Sequence, residues 1–152
     1  MKVFVTVGTT KFDAMIKSLD RLFNQKPYSH YEVLFQIADG EYIPKSNNYV
    51  AMLSNIEEVY QEHDLVITHA GAGSIFRLLE LRKKIIIIPN VDRIDTHQTD
   101  IAKYMGDHQH ALICNDLLAL SKQISLSSTF KYVPYLKESF FKADEIADFI
   151  IN

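Results

Sequence analysis

The chain of 152 residues contains a single cysteine, Cys114, and no long apolar run. One cysteine cannot build a disulfide framework, so the small disulfide-stapled class of secreted proteins is excluded and a reducing compartment is indicated. No apolar run approaches the roughly 20 residues that a membrane-spanning helix needs. Residues 1–8 alternate in hydropathy like a strand and lack the pattern of a signal peptide. We therefore expect a soluble, cytoplasmic protein.

Positive charge is also not in excess. The 16 lysine and arginine residues are outnumbered by 19 aspartate and glutamate residues, which gives a net charge of -3 and a pI near 6.0. A protein that binds nucleic acid would show a basic face, so that class is disfavoured. Apolar residues make up 47% of the chain, which is enough for one domain, residues 1–152, to close a core.

Two kinds of motif are missing from the sequence. The glycine-bearing segments neither end in the Gly-Lys-Ser/Thr of a P-loop nor match the dinucleotide-binding fingerprint, so no motif supports binding of ATP or NAD. His97, His108 and His110 lack a cysteine or carboxylate at a typical ligand spacing. We therefore predict no metal site.

The most informative segment is residues 68–75 (THAGAGSI), which connects an apolar segment at 64–67 to a predicted helix at 75–82. The apolar segment is short and rich in branched residues, as in a buried parallel strand. A glycine-bearing turn between a strand and a helix exposes backbone N–H groups beside the positive end of the helix dipole, which favours a phosphate-bearing ligand. The alternative is a tight turn that needs glycine only for its backbone dihedrals.

Strand and helix patterns alternate along the chain, with a serine-rich connector near the end. Asp13, Ser54 or Asn55, and Asn115 or Asp116 are candidate N-caps. The alternation predicts an α/β fold, a Rossmann-like parallel sheet flanked by helices with right-handed crossovers. The predicted strands are 3–7, 31–37, 49–53, 64–68, 85–88 and 111–114, the predicted helices are 13–24, 55–62, 75–82, 96–105, 116–124 and 134–151, and the connector is 125–129.

Three loops leave the carboxyl ends of the predicted strands, at 8–11, 69–74 and 89–98. In an open parallel sheet the ligand lies off these ends, so we expect the three loops to converge on one site. The first loop adds a second glycine turn ahead of a helix. The third is dense in hydrogen-bonding side chains, which suits sugar hydroxyls.

Four segments together carry a resemblance to a known family: VTVGTT at 5–10, HAGAGSI at 69–75, Pro89-Asn90 and His97-Gln98. The chain resembles the soluble, donor-binding subunits of two-component UDP-sugar glycosyltransferases. These include the transferase that adds the second N-acetylglucosamine to dolichol-linked oligosaccharide, and bacterial counterparts that make capsule and exopolysaccharide. More distantly, the chain resembles the C-terminal half of the transferase that adds N-acetylglucosamine to the muramyl lipid of peptidoglycan. The resemblance covers about residues 2–114 and implies the C-terminal, donor-binding lobe of a GT-B glycosyltransferase.

The resemblance also implies which residues hold the donor, a UDP-sugar, and it implies no other cofactor. The first glycine loop would face the diphosphate, and the second would approach ribose and phosphate. Backbone at the head of a helix would recognise uracil, and the polar pair after the proline loop would reach the sugar. In that order, the residues are Gly8, Thr9 and Thr10; Gly71, Ala72, Gly73 and Ser74; Met52 and Leu53; and His97 and Gln98, and His69 at the start of the second turn is also assigned to donor binding.

One position departs from the family. Three positions after the serine or threonine of the second glycine turn, the family commonly has an acidic residue whose carboxylate can bind both ribose hydroxyls, whereas this chain has Arg77. Glu80, one turn later, is an alternative carboxylate. His69 is a candidate catalytic base, because it ends a strand close to the expected phosphates. The alternative is that His69 packs against the turn and hydrogen-bonds it.

The two-lobed relatives in this family close a cleft between an acceptor lobe and a donor lobe, and this chain has room only for the donor lobe. The resemblance therefore implies a membrane-anchored partner subunit, which binds a polyprenyl-phosphate-linked acceptor and recruits the chain to the cytoplasmic face of a membrane. The terminal helix, within residues 130–152, is a candidate partner contact, or else it packs on its own domain.

Two functions fit these observations. The first is a catalytic donor-binding subunit that moves a hexose or N-acetylhexosamine from a UDP-sugar to a polyprenyl-linked acceptor, in polysaccharide or lipid-linked oligosaccharide synthesis. The second is a non-catalytic module that binds nucleotide sugars for regulation. The sequence leaves the donor sugar open among N-acetylglucosamine, glucose, galactose and glucuronic acid.

Overall fold

Short apolar segments form six parallel strands in the computed structural model, which describes residues 1–90 and 97–137. The strands are β1 Lys2–Thr6, β2 Glu32–Gln36, β3 Asn48–Val50, β4 Leu65–His69, β5 Lys84–Ile88 and β6 Leu112–Ile113. The helices are α1 Asp13–Phe23, α2 Ile56–Glu62, α3 Ala72–Glu80, α4 His97–Asp107 and α5 Leu120–Leu126, with 3-10 turns at Tyr28–His30 and Leu117–Ala119. The predicted α/β class with a parallel sheet is confirmed.

The strand order is β3-β2-β1-β4-β5-β6. The chain builds outward from β1 through β2 to β3, then returns to place β4 on the other side of β1. Thr6 of β1 pairs in register with Thr68 of β4, so the carboxyl ends of these two strands are neighbours. A reversal of this kind opens a crevice outside the strand ends, where open α/β sheets bind their ligands.

Both faces of the sheet are buried, which is why the strands read as nearly continuous apolar runs. Alternate residues of one strand pack into the two hydrophobic clusters on opposite faces of the sheet. Phe4, for example, packs on one face and Val5 on the other. On the face of Phe4 pack α2, α3 and α4, and on the face of Val5 pack α1 and α5. The described residues contain no helix long and apolar enough to cross a membrane.

The observed helix starts differ from some predicted ones. The helix predicted from residue 75 begins at Ala72, with Gly71 as its N-cap in extended backbone. Asp13 is the first helical residue and not the cap, since its carboxylate accepts the Tyr42 N–H at 2.9 Å instead. Asp116 does cap, because it accepts the Leu118 N–H at 2.9 Å, but a 3-10 turn precedes α5 there.

The end of the described chain also differs from the sequence prediction. Helix α5 continues to Leu126, so the serine-rich connector starts inside a helix. Residues 131–137 have no regular secondary structure, so no helix begins at Pro134. The rest of the predicted terminal helix, from residue 138 onward, lies outside the described residues.

A buried carboxylate on α1 holds the irregular segment between β2 and β3. Asp20 is 2% exposed and accepts hydrogen bonds from the Tyr42 hydroxyl at 2.9 Å and the Lys45 N–H at 2.9 Å. It also accepts from the Asn47 amide at 2.9 Å and the Ser46 N–H at 3.4 Å. Burial alone would raise the pKa of Asp20, but these four donors lower it below its ordinary value of 3.8.

We expect Asp20→Asn to lower the free energy of unfolding at neutral pH by about 1–3 kcal/mol, because an amide offers one acceptor oxygen to four donors. The pKa of Asp20 is depressed in the folded state, so its contribution is fully present above the unfolded pKa and is lost as the pH falls through the folded pKa. Urea unfolding at a series of pH values down to about 3 should therefore show a flatter acid limb for the variant than for the wild type.

The control for this experiment is Asp107→Asn, which removes an exposed ion pair with Lys103 on α4. Exposed pairs of this kind contribute little to stability. Equal losses of unfolding free energy in the two variants would contradict the role given to Asp20.

Candidate functional site

The glycine turns that follow β1 and β4 meet at the sheet's reversal point and line one open cleft of about 230 Å³. The structure therefore brings together most of the residues assigned to the diphosphate and ribose. Thr10, which follows them in the first turn, is not among the lining residues. The cleft is lined by Gly8, Thr9, His69, Gly71, Ala72, Gly73 and Ser74.

The first turn is held on both sides of Gly8. Gly8 has a φ of 64°, in the left-handed region that glycine tolerates best. Its N–H donates to the Thr6 hydroxyl at 3.0 Å, and its carbonyl accepts from the Gln36 amide at 3.3 Å. The Thr10 N–H donates to the Val7 carbonyl at 3.4 Å. The two outer amides of the turn are thus used internally.

The second turn is the N-terminus of α3. Its N-cap, Gly71, has no side chain with which to cap the helix, and the first N–H groups of a helix have no intrahelical partner. These groups belong to Ala72, Gly73 and Ser74, which all line the cleft. A Cβ added at Gly73 would meet nothing within 4 Å, so the helix start is open at that point. Together with the helix dipole, this arrangement suits an anionic oxygen.

The imidazole of His69 lies between the two turns. A Cβ added at Gly8 would lie 2.6 Å from His69 Cε1, and one added at Gly71 would lie 2.3 Å from His69 Nε2. The last residue of β4 therefore occupies the space beside both glycines. Behind the second turn, the Ser74 side chain forms a hydrogen bond with the hydroxyl of Tyr60 in α2. Burial raises the pKa of the Tyr60 hydroxyl above its ordinary value.

The residues assigned to uracil lie beyond the end of β3. Met52 is 55% exposed, and its sulfur accepts the Gln36 amide at 3.5 Å. Leu53 is half-buried against the cluster under α2, α3 and α4. Neither lines the cleft, although Gln36 touches both Gly8 and Met52 and so links the first turn to the assigned uracil position.

The residues assigned to the donor sugar are at the start of α4. Gln98 is 8% exposed, and its side-chain oxygen accepts the Asn90 N–H at 3.2 Å, which ties α4 to the loop after β5. The backbone of His97 begins α4, but its side chain and residues 91–96 lie outside the described structure. Contact of His97 and Gln98 with a sugar stays a prediction.

At the position where the family commonly carries an acid, Arg77 forms a two-pronged ion pair with Glu57 of α2, through Nε at 2.7 Å and Nη2 at 2.5 Å. Its Nη1 donates to Glu80 at 3.1 Å, and Lys137 donates to the other Glu80 oxygen at 2.6 Å. Both oxygens of Glu80 are therefore engaged in ion pairs, which argues against Glu80 as a substitute ribose ligand. Both oxygens of Glu57 are engaged by Arg77 in the same way.

Two polar residues of the site were not singled out from the sequence. Thr6 and Gln36 end β1 and β2, and the Thr6 hydroxyl donates to the Gln36 side-chain oxygen at 2.7 Å. Both are nearly inaccessible to solvent. The sequence pattern that could identify them is a polar residue at the carboxyl end of an otherwise apolar strand. In residues 1–90 and 97–137, no three His, Cys, Asp or Glu side chains are grouped to hold a metal.

Comparison with known proteins identifies a glycosyltransferase domain family and related sequences. Residues 2–143 match the glycosyltransferase family 28 C-terminal domain. The chain is 32% identical over 122 residues to the human UDP-N-acetylglucosamine transferase subunit ALG13, an alignment that covers 74% of this chain and 11% of the human protein.

A bacterial relative is similar over a shorter stretch. The chain is 33% identical over 97 residues to the Nitrosomonas europaea UDP-N-acetylglucosamine--N-acetylmuramyl-(pentapeptide) pyrophosphoryl-undecaprenol N-acetylglucosamine transferase. This alignment covers 59% of this chain and 27% of the relative. The chain thus spans only a minor part of the curated relatives it matches.

Solved structures share the fold. The solution structure of ALG13 superposes with a TM-score of 0.62 at 18% identity, covering 95% of this chain and 94% of that one. MurG from Acinetobacter baumannii superposes with a TM-score of 0.65 at 19% identity, covering 82% of this chain and 40% of that one. The fold predicted from the GT-B C-terminal domain is confirmed, and so is the resemblance to the dolichol-pathway and peptidoglycan N-acetylglucosamine transferases.

We expect Thr6→Val to lower the free energy of unfolding by about 1–3 kcal/mol, because it leaves the buried Gln36 oxygen and the Gly8 N–H without their partner. Thr68→Val is the matched control. Thr68 pairs with Thr6 in register and is equally buried, but its hydroxyl has no partner in the described structure. Chemical unfolding of both variants checks this expectation, and a Thr68→Val loss as large as that of Thr6→Val would contradict it.

Proposed function

Because the chain belongs to the glycosyltransferase family 28 C-terminal domain family, we propose that it is the donor-binding, catalytic subunit of a UDP-sugar glycosyltransferase. In this proposal it moves a hexose or N-acetylhexosamine from the UDP-sugar to a polyprenyl-phosphate-linked acceptor. The product would serve polysaccharide synthesis, such as capsule or exopolysaccharide, or lipid-linked oligosaccharide synthesis.

The observation that carries the proposal is the meeting of two glycine turns at the reversal point of the sheet. The amides of Ala72, Gly73 and Ser74 lie at the positive end of the α3 dipole, and the first turn faces them across the cleft. A diphosphate in this cleft would accept hydrogen bonds from these backbone amides. When the bond from sugar to diphosphate breaks, negative charge grows on the departing oxygen, and these fixed amides stabilise it.

The names of the relatives point to the donor. The human and Nitrosomonas proteins are both named as N-acetylglucosamine transferases, which supports UDP-N-acetylglucosamine as the first donor to test. Recognition of the nucleoside would come from Met52 and Leu53, and of the sugar from His97 and Gln98. The proposal needs no cofactor besides the donor.

The open cleft supports a partner subunit. On this chain the cleft is lined by the two glycine turns and His69 and is open to solvent. A transferase must also bring an acceptor hydroxyl in line with the anomeric carbon and accept its proton. We propose that a membrane-anchored subunit supplies this second wall, binds the lipid-linked acceptor and holds the chain at the cytoplasmic face of the membrane. The human relative is itself named as a subunit.

We expect Gly73→Val to abolish measurable UDP binding without loss of fold. The added Cβ meets no atom within 4 Å at the helix start, so the side chain would occupy the open space proposed for the ligand. Isothermal titration calorimetry with UDP measures the binding, and the midpoint of thermal unfolding without ligand serves as the control. Equal UDP affinities in variant and wild type would contradict the assignment of the cleft.

We expect negligible sugar transfer by the isolated chain and clear transfer when the partner is present. The assay follows radiolabelled UDP-N-acetylglucosamine into extractable lipid, with purified chain alone, with membranes from source cells that lack the chain, and with both. The Gly73→Val variant with membranes is the matched control. Strong transfer by the chain alone would overturn the need for a partner. UDP binding without transfer, even with membranes, would favour the non-catalytic module.

A further inference from the structure

We propose that His69 is a positioning residue that sets the spacing between the two glycine turns of the cleft. It acts through the size and shape of its imidazole ring and not through proton transfer. The inference rests on the proposed function, because the spacing matters for a diphosphate that contacts both turns.

The contacts of the ring show this spacing role. Cβ atoms essentially never come within 3.0 Å of other heavy atoms, yet a Cβ at Gly71 would lie 2.3 Å from His69 Nε2 and 2.6 Å from Cε1. A Cβ at Gly8 would lie 2.6 Å from Cε1 and 3.4 Å from Nε2. One edge of one ring therefore fills the space beside the α-carbons of both glycines.

The ring is carried by the sheet, which makes it a fixed spacer. His69 is the last residue of β4 and pairs in register with Ile88 of β5. Gly71 follows two residues later as the N-cap of α3, whereas Gly8 comes from the neighbouring strand β1. The side chain thus lies beside two segments that are far apart in sequence, and in this proposal the ring keeps them apart.

The glycines of the cleft differ in a way that fits this account. Gly8 and Gly71 are both excluded from bearing a side chain by His69, while a Cβ at Gly73 would meet nothing within 4 Å. Protein packing therefore requires glycine at the first two positions only. The requirement at those positions is set by the ring and not by the turn geometry alone, although Gly8 also has a positive φ.

The same contacts describe a packing role for His69, although the residue also lines the cleft. Its ε edge lies beside both glycines, and a Cβ at Gly8 would also lie 3.5 Å from Nδ1. A base needs a ring nitrogen within hydrogen-bond reach of the hydroxyl it deprotonates, whereas a spacer needs only the size of the ring. A ring held in this way is better suited to keeping the amides of Thr9 and α3 at a fixed separation, which is preorganisation of the anion site.

The first test measures thermal unfolding without ligand, so its outcome does not depend on the proposed function. Gly71→Ala should lower the unfolding midpoint in the wild-type background and leave it unchanged in the His69→Ala background, where the methyl group occupies the vacated space. Gly73→Ala is the matched control and should lower neither. If Gly71→Ala fails to fold, the double variant should fold. An equal loss in both backgrounds, or a double variant that also fails to fold, would overturn the proposal.

The second test measures UDP affinity by calorimetry in two amide variants that do not titrate. His69→Gln reaches the ε position and should bind UDP within about threefold of the wild type, whereas His69→Asn ends short of it and should bind about tenfold more weakly. Equal losses in both, or a pH dependence of wild-type UDP affinity that His69→Gln removes, would contradict a spacer role; titration of the UDP phosphate itself is common to both proteins. If the wild type binds no UDP, the proposed function fails, while the unfolding test still decides whether His69 spaces the turns.

Discussion

The close approach of two backbone turns at one point of the sheet is the constraint on which the rest of the site depends. Because the strand order reverses between β1 and β4, the chain leaves the sheet twice at adjacent positions. Backbone amides can serve one anion only if no side chain stands between them and the ligand. Gly8 and Gly71 carry no side chain, and the imidazole of His69 lies between the two turns.

Buried polar groups in this domain serve loops more than the sheet. Thr6 and Gln36 hold the first glycine turn, Gln98 holds Asn90 in the loop after β5, and Asp20 holds the segment between β2 and β3. A buried polar group without a hydrogen-bond partner destabilises a fold. The hydrogen bonds to these loops therefore offset the cost of burying each of these polar side chains. Thr6, Gln36 and Gln98 make these bonds at the carboxyl ends of β1, β2 and β5, whereas Asp20 makes its bonds from within α1.

Much of this could be predicted from the sequence, for definite reasons. Strands such as β5 are apolar because both of their faces are buried. The fold class and the positions of the strands can therefore be predicted from the hydropathy of the sequence. The sequence predicts a start of α3 that is three residues late, because Ala72, Gly73 and Ser74 are typical of a turn, whereas in the structure they form the first turn of the helix. The pairings of Asp20 with Asn47 and of Arg77 with Glu57 join residues from different parts of the fold. They depend on tertiary packing, which cannot be predicted from local sequence patterns.

The central claim is that the backbone at the reversal point binds a diphosphate. Amide chemical shifts measured by NMR during titration with UDP, and separately with uridine, test it most directly. The account predicts that the N–H resonances of Thr9, Ala72, Gly73 and Ser74 move on addition of UDP and stay nearly unchanged with uridine. Unchanged resonances at these four residues under saturating UDP, or movement confined to another part of the chain, would contradict it.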